Sequence, residues 1–176
     1  MRKLKNEELN RLDVSEYKSA EKANLIIILD NVRSLNNVGS VFRTADAFRI
    51  QKIFLCGITA KPPHREIQKT ALGSTDSVAW AHAKETLDVV NKLKDEGIRI
   101  ISIEQTEGST MLQDFKFNPA ETYAMVFGHE VKGVQQEVIN RSEAVIEIPQ
   151  FGTKHSVNIS VSMGICCWAY YEKVYL

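Results

Sequence analysis

Short, wholly apolar runs alternate along this chain with stretches in which apolar residues recur every third or fourth position. The first run, Leu25-Ile26-Ile27-Ile28-Leu29, carries no polar alternation, which is the pattern of a strand buried on both faces. Further strands are expected at Lys52 to Cys56, Ser77 to Trp80, Ile98 to Ile103, Tyr123 to Phe127 and Ala144 to Ile148. Helical spacing predicts helices over Val38 to Phe48, Glu85 to Glu96 with Gly97 as its stop, Val134 to Asn140, and Val157 to Lys173. Strands and helices in alternation build an α/β fold, a doubly wound parallel sheet flanked by helices, whose ligand site lies at the carboxyl ends of the strands. Candidate chemistry therefore belongs in the segments that follow strands.

Residues 1 to 24 read differently. Six basic and five acidic side chains surround Leu4, Leu9 and Leu12, loosely spaced as on one side of a surface helix, so this segment is expected to be an N-terminal helix and linker. Residues 25 to 176 then form one domain, the organisation that 176 residues ordinarily allow. Hydrophobic residues at 44% and charged residues at 25% match a folded globular domain. Lysine plus arginine, 22, equals aspartate plus glutamate, 22, which excludes a partner-binder working by bulk charge and leaves only local basic patches. The start, MRKLKNEELNRLD, has no apolar signal core, and no apolar run reaches the ~18 residues of a membrane span, so a cytoplasmic protein with no membrane partner is expected. Cys56, Cys166 and Cys167 form no CxxC pair and are expected to be reduced core thiols.

Several familiar chemistries fail on spacing. The nine glycines never occur as GxG, which removes the dinucleotide fingerprint. Gly128 to Gly133 has phosphate-loop spacing, but Val134 and Gln135 stand where lysine and a hydroxyl residue are required. His129-Glu130 lacks the second histidine of HExxH, His64, His82, His129 and His155 share no ligand spacing, and no GxSxG elbow occurs, so no metal is expected.

Three polar segments after strands remain. In Asn36 to Ala45, Asn36 or Asn37 would serve as a helix N-cap and Arg43 as a surface residue. The apolar flanks Val41, Phe42 and Ala45 suggest instead a partly buried arginine in need of an anion. Phe127 to Val134 contains two glycines that permit close ligand approach, while an ordinary turn, with Glu130 favouring the next helix terminus, explains it equally. In Ile148 to Ser160, Ser156 stands where an N-cap would open the last helix, which leaves Asn158 without a role.

In order and spacing, the three segments together resemble those of the SpoU, or TrmH-type, branch of the SPOUT RNA methyltransferases. N-x-G-x-x-x-R is matched by Asn37, Gly39 and Arg43, and G-x-E-x-x-G by Gly128, Glu130 and Gly133. I-P-x-x-G followed by S-x-N-x-S is matched by Ile148, Pro149, Gly152, Ser156, Asn158 and Ser160, so the likeness runs from about Leu25 to Tyr171. Gln150, where many relatives have methionine, and Lys154-His155 depart from the pattern.

The resemblance implies a SPOUT-type fold with a C-terminal trefoil knot and S-adenosylmethionine as methyl donor, with no metal. It implies a homodimer that methylates a ribose 2′-hydroxyl of RNA. By that resemblance Ile103, Glu104, Gly128, Gly133, Ile148, Gln150, Ser156 and Val157 contact the cofactor. Arg43, Asn37, Ser156, Asn158 and Glu130 serve catalysis. Guanidinium stays protonated and is a poor base, so Arg43 is expected to hold a phosphate beside the target ribose, with the proton passing to phosphate oxygen or water.

Between Arg49 and Lys69 the basic residues Arg49, Lys52, Lys61, Arg65 and Lys69 outnumber the acidic Glu66 by four, which makes Lys61, Arg65 and Lys69 RNA-contact candidates beside Arg43. Val161, Ile165 and Trp168 share one face of the last helix and are candidates for a dimer contact. A compact chain points to transfer RNA as substrate, with ribosomal RNA the other reading. A catalytically silent RNA-binding module that keeps the knot is the competing function, and a small-molecule α/β enzyme a third.

Overall fold

The computed structural model describes residues 1–176, the side chain of Asn6 excepted. Seven strands, β1 (Ala23–Asp30), β2 (Ile50–Cys56), β3 (Trp80–Ala83), β4 (Arg99–Ile103), β5 (Thr110–Met111), β6 (Tyr123–Phe127) and β7 (Ala144–Glu147), join in one sheet. Their spatial order is β3-β2-β1-β6-β4-β7-β5, and every neighbouring pair is parallel. The α/β expectation is therefore met, and the sheet centre is its most apolar part. Ile27 faces Ile53 on one side and Met125 on the other, and Met125 is in turn in register with Ile101.

Both faces of the sheet are covered, as an unbroken apolar run requires. Leu25, Ile27 and Leu29 of β1 point into one core with Tyr123, Met125 and Phe127 of β6, while Ile26 and Ile28 point into the other with Ala124 and Val126. The first core is closed by α2 (Leu35–Ala47), α3 (Arg65–Ala71) and α7 (Ile159–Val174), through side chains such as Phe42, Ile67 and Tyr170. The second is closed by α5 (Thr86–Asp95) and α6 (Gln136–Arg141), through Val90, Leu93 and Val138. The path from β6 through α6 and β7 into α7, which returns to pack beside α2, is compatible with the threading that the resemblance implies.

The remaining elements depart from the pattern-based expectations for local reasons. Ser77 to Trp80 is not a strand: Ser74–Ser77 forms a short helix, α4, because its hydroxyls bond back to the chain. Ser74 Oγ donates to Ala71 O and Ser77 Oγ to Ser74 O, while Ser77 also bonds the Asp46 carboxylate, and pairing starts only at Trp80. The basic stretch is not all loop. His64 caps α3 by accepting the Glu66 N–H, and Ile67 and Ala71 are buried one turn apart.

The N-terminal expectation needs a similar correction. Leu4, Leu9 and Leu12 are exposed, lying in and around a 3-10 turn (Asn6–Leu9), and the buried residue is Tyr17 of α1 (Val14–Ser19), whose hydroxyl donates to Ala45 O. Edge strand β5 has two residues and leaves no periodicity to read. All three cysteines are free and buried, as expected. Among the described residues no helix is long and apolar enough to cross a membrane, and no group of three or more His, Cys, Asp or Glu side chains is placed to hold a metal ion.

Candidate active site

Four segments leave the carboxyl ends of β1, β4, β6 and β7 and meet on one edge of the sheet. The segments after β4, β6 and β7 enclose a cavity of about 670 Å³, within the range of small-molecule sites. Ile103 and Glu104 line it from the exit of β4, and Gly128 and Gly133 from the exit of β6. Ile148, Gln150, Ser156 and Val157 line it from the segment after β7. All eight residues expected at the cofactor are thus brought together.

The glycines are required by close approach. A Cβ on Gly128 would lie 2.1 Å from the Gly133 carbonyl carbon and 2.1 Å from Val134 N, because the loop closes on itself there. His129 and Gly133 exchange backbone hydrogen bonds of 3.1 and 2.8 Å across that closure. Gly133 adopts φ +68°, and a Cβ on it would meet Glu104 Oε2 at 2.1 Å. His129 Nδ1 accepts the N–H groups of Val131 and Lys132, which fixes its ring inside the loop.

At one end of the cavity a hydrogen-bonded chain joins the three sequence segments. The Glu130 carboxylate accepts the backbone N–H of Arg33 at 3.0 Å and of Ser34 at 2.9 Å, and also the Asn37 side-chain amide at 3.3 Å. Asn37 Oδ1 accepts from Asn158 Nδ2 at 3.1 Å, and Asn158 Oδ1 accepts from Ser160 N and Ser160 Oγ. Burial raises the Glu130 carboxyl, but the N–H groups of Arg33 and Ser34, its own N–H and the Asn37 amide outweigh it, so the group lies below the usual carboxylate range. Glu130 therefore does not serve the helix that follows it; it ties the β6 loop to the N-terminus of α2.

Two caps differ from expectation. Ser34 opens α2 by accepting the Asn37 N–H, which frees the Asn37 side chain for the chain just described. Asn158, not Ser156, caps α7, and Ser156 stays in the exposed loop at the cavity rim. Capping through Oδ1 still leaves the Asn158 amide to reach Asn37.

Arg43 is exposed on α2 and lies outside the cavity lining, contrary to the partly buried arginine expected from its flanks. Val41, Phe42 and Ala45 turn into the core, and the helical period turns Arg43 out. It has no carboxylate partner among the described residues. Lys61, Arg65 and Lys69 are also exposed, Lys69 paired with Glu66 at 2.7 Å.

Sequence reasoning missed Gln105 and Asp30. Gln105 lines the cavity, and its amide donates to His155 O at 2.8 Å. Asp30, at the end of the first apolar run, is fully buried. Its carboxylate accepts from Gln135 N, Gln135 Nε2, Thr86 Oγ1 and Asn31 Nδ2. An acidic residue ending a both-faces-buried strand was the available signal.

The cavity has the chemistry to hold S-adenosylmethionine: Phe127, Ile103 and Ile148 offer apolar surface to a flat base, and the Glu104 carboxylate and the Gln150 and Asn158 side chains offer polar partners. The profile of the SpoU rRNA Methylase family matches residues 24–168. The 23S rRNA (guanosine-2′-O-)-methyltransferase RlmB of Neisseria meningitidis serogroup B is 28% identical over 141 residues, covering 80% of this chain and 55% of the relative. RlmB of Coxiella burnetii is 27% identical over 166 residues, covering 92% and 65%. This chain therefore spans less than two thirds of the length of these curated relatives.

Among solved structures, a TrmH/SpoU tRNA modifying enzyme of A. aeolicus superposes with a TM-score of 0.81 at 22% identity, covering 91% of this chain and 80% of the other. An AdoMet-bound rRNA methyltransferase of Sinorhizobium meliloti has a TM-score of 0.81 at 24% identity, covering 89% and 59%. Both carry the same fold. With a family profile spanning most of the sequence, the chain belongs to the SpoU rRNA methylase family.

Proposed function

We propose that this protein transfers a methyl group from S-adenosylmethionine to a ribose 2′-hydroxyl of RNA. The observation that carries the proposal is the Glu130–Asn37–Asn158 chain, which locks three sequence-distant segments together at the end of a ligand-sized cavity. A fold that needed these residues only for stability has no reason to gather them at the strand exits beside that cavity. The donor, when bound, supplies an electrophilic methyl group, and Gly128, Ile148, Gln150, Ser156 and Val157 are the residues to hold it, with Ile103 and Glu104 below.

The chain's own task is positioning. Bringing a hydroxyl and a methyl group into near-attack geometry is worth on the order of 7 to 11 kcal/mol. Arg43, exposed and without a carboxylate partner, is available to grip the phosphate beside the target ribose with its bidentate fork. The proton then leaves the hydroxyl for a phosphate oxygen or water. Asn37 and Asn158 hold the loop edges that border this approach. Lys61, just before α3, and Arg65 and Lys69 on α3 are exposed and are proposed as further RNA contacts, and the exposed Val161, Ile165 and Trp168 of α7 as a homodimer contact. Likeness to the RlmB 23S rRNA methyltransferases favours ribosomal RNA, and likeness to the A. aeolicus tRNA modifying enzyme keeps transfer RNA as the other substrate to test.

The test is transfer of labelled methyl from S-adenosylmethionine to total, ribosomal and transfer RNA, with mapping of the methylated riboses. Arg43→Lys keeps the charge and loses the fork, so activity is expected to fall at least about tenfold with donor binding unchanged. Full activity in that variant refutes the phosphate-gripping role. Binding of RNA with no transfer establishes the silent module instead.

A further inference from the structure

Two adjacent residues at the exit of β4 each hold a different wall of the cavity. The Glu104 carboxylate accepts the N–H of Val134 on Oε2 at 3.0 Å, and the N–H of its neighbour Gln105 on Oε1 at 2.9 Å. The side-chain amide of Gln105 donates to the carbonyl of His155 at 2.8 Å. Val134 closes the loop after β6, and His155 belongs to the loop after β7, so one dipeptide spans both. The strand beneath is paired on both sides: Glu104 N donates to Ile146 O at 3.1 Å, and Ile103 is paired with both Phe127 and Ile146. The join leaves no room for a side chain at Gly133, since a Cβ there would lie 2.1 Å from Glu104 Oε2.

We propose that Glu104 and Gln105 form a clasp that fixes the separation of the two cavity loops, and so act as positioning residues for the methyl donor. This deepens the proposed function and rests on its assignment of the cavity. Both oxygens of Glu104 are engaged by backbone N–H groups, so its first role is to set loop geometry, beyond the direct cofactor contact implied by the resemblance. Gln105 needs a donor at the tip of its side chain, because the group it meets is a carbonyl. The clasp differs from the Glu130 chain, which ties the β6 loop outward to α2 and meets the segment after β7 only at Asn158, the cap of α7, whereas Gln105 holds that segment at His155.

The variants that separate clasp from general stability are Gln105→Met, which keeps length and removes the donor, and Gln105→Lys, which restores one. Gln105 is exposed, so both are expected to fold with melting temperatures near the parent. In the ligand-free proteins, hydrogen exchange in peptides covering 148–158 is expected to quicken in Gln105→Met and to return towards the parent rate in Gln105→Lys. Glu104→Ala is expected to quicken exchange in 128–135. Calorimetric titration with S-adenosylhomocysteine is expected to weaken about two- to tenfold in Gln105→Met, the loss of one neutral hydrogen bond. The KM for S-adenosylmethionine is expected to rise by a similar factor while the KM for RNA stays put, whereas a general loss of folded protein would lower kcat and move neither.

Equal exchange and equal affinity in the Met and Lys variants overturn the clasp. Failure of the parent protein to bind S-adenosylhomocysteine overturns the donor assignment instead, and the ligand-free exchange rates still judge whether the clasp holds the loops.

Discussion

Asp30→Asn exposes how the strand exits are held together. The Asp30 carboxylate has no exposed surface and, among the described residues, no cationic partner, yet four donors converge on it. Thr86 Oγ1 at 2.6 Å, Gln135 Nε2 at 2.7 Å and Asn31 Nδ2 at 2.9 Å meet Oδ1, and Gln135 N at 2.9 Å meets Oδ2. An amide retains one oxygen. Placed at Oδ1 it keeps three bonds, each now to a neutral acceptor and weaker by about 1 kcal/mol, and turns an NH₂ towards the Gln135 N–H, losing a further bond worth about 1.5–3 kcal/mol. Relief of the buried charge, several kcal/mol of desolvation, offsets part of this. The net expectation is a loss of about 2–4 kcal/mol.

With a urea slope of about 2 kcal/mol/M, that loss moves the unfolding midpoint down by about 1–2 M, read by the fluorescence of Trp80 and Trp168 at neutral pH. Asp30→Ala, which abandons all four donors, is expected to cost at least as much. A midpoint for Asp30→Asn within about 0.25 M of the parent, at unchanged slope, refutes the reasoning.

Two further outcomes follow from the same geometry. The folded Glu130 carboxyl lies below its ordinary value of 4.5, so the unfolded chain binds the proton first, and the stability it contributes is present above that value and lost as pH falls through the folded one. The stability gap between the parent and Glu130→Gln should therefore hold from pH 7 to about 5 and close below about 4.5; a gap that widens in acid contradicts the assignment. Gly39→Ala gains about 1 kcal/mol of helix propensity, but its Cβ would lie 2.3 Å from Ile67 O and 2.1 Å from Thr70 Oγ1, forcing α2 and α3 apart at about 3 kcal/mol. Chemical denaturation should show a net loss of about 2 kcal/mol, and a stabilised variant would mean that the two helices separate freely.

The central strands were legible because burial on both faces writes itself as an unbroken run: Leu25 to Leu29 and Tyr123 to Phe127 needed no structure to be found. The short helix at Ser74–Ser77 was not, since hydroxyl groups bonding to nearby carbonyls leave no apolar period. At the site, the family resemblance made Asn37, Glu130 and Asn158 candidates, but not that they bond to one another, because their contacts span some hundred residues of sequence. The cap of α7 was displaced by two residues for a related reason. Ser156 and Asn158 both have capping side chains, and only the fold decides which one stands at the first free N–H groups. Gln105 left no signal of its own, as a lone glutamine after a strand reads as a solvated turn.

The central position of β6 has a consequence for how the molecule is made. β6 stands between β1 and β4, both earlier in the chain, and supplies the N–H and C=O groups that each of them lacks on its inner edge. Until residue 127 has left the ribosome, the two halves of the sheet have nothing to join them. β1, almost wholly apolar, waits with one edge open to any strand that offers itself. Such a nascent protein should depend on chaperone cover for most of its translation, and a ribosome stalled before Tyr123 should leave a sticky fragment where the completed chain leaves a sheet able to close.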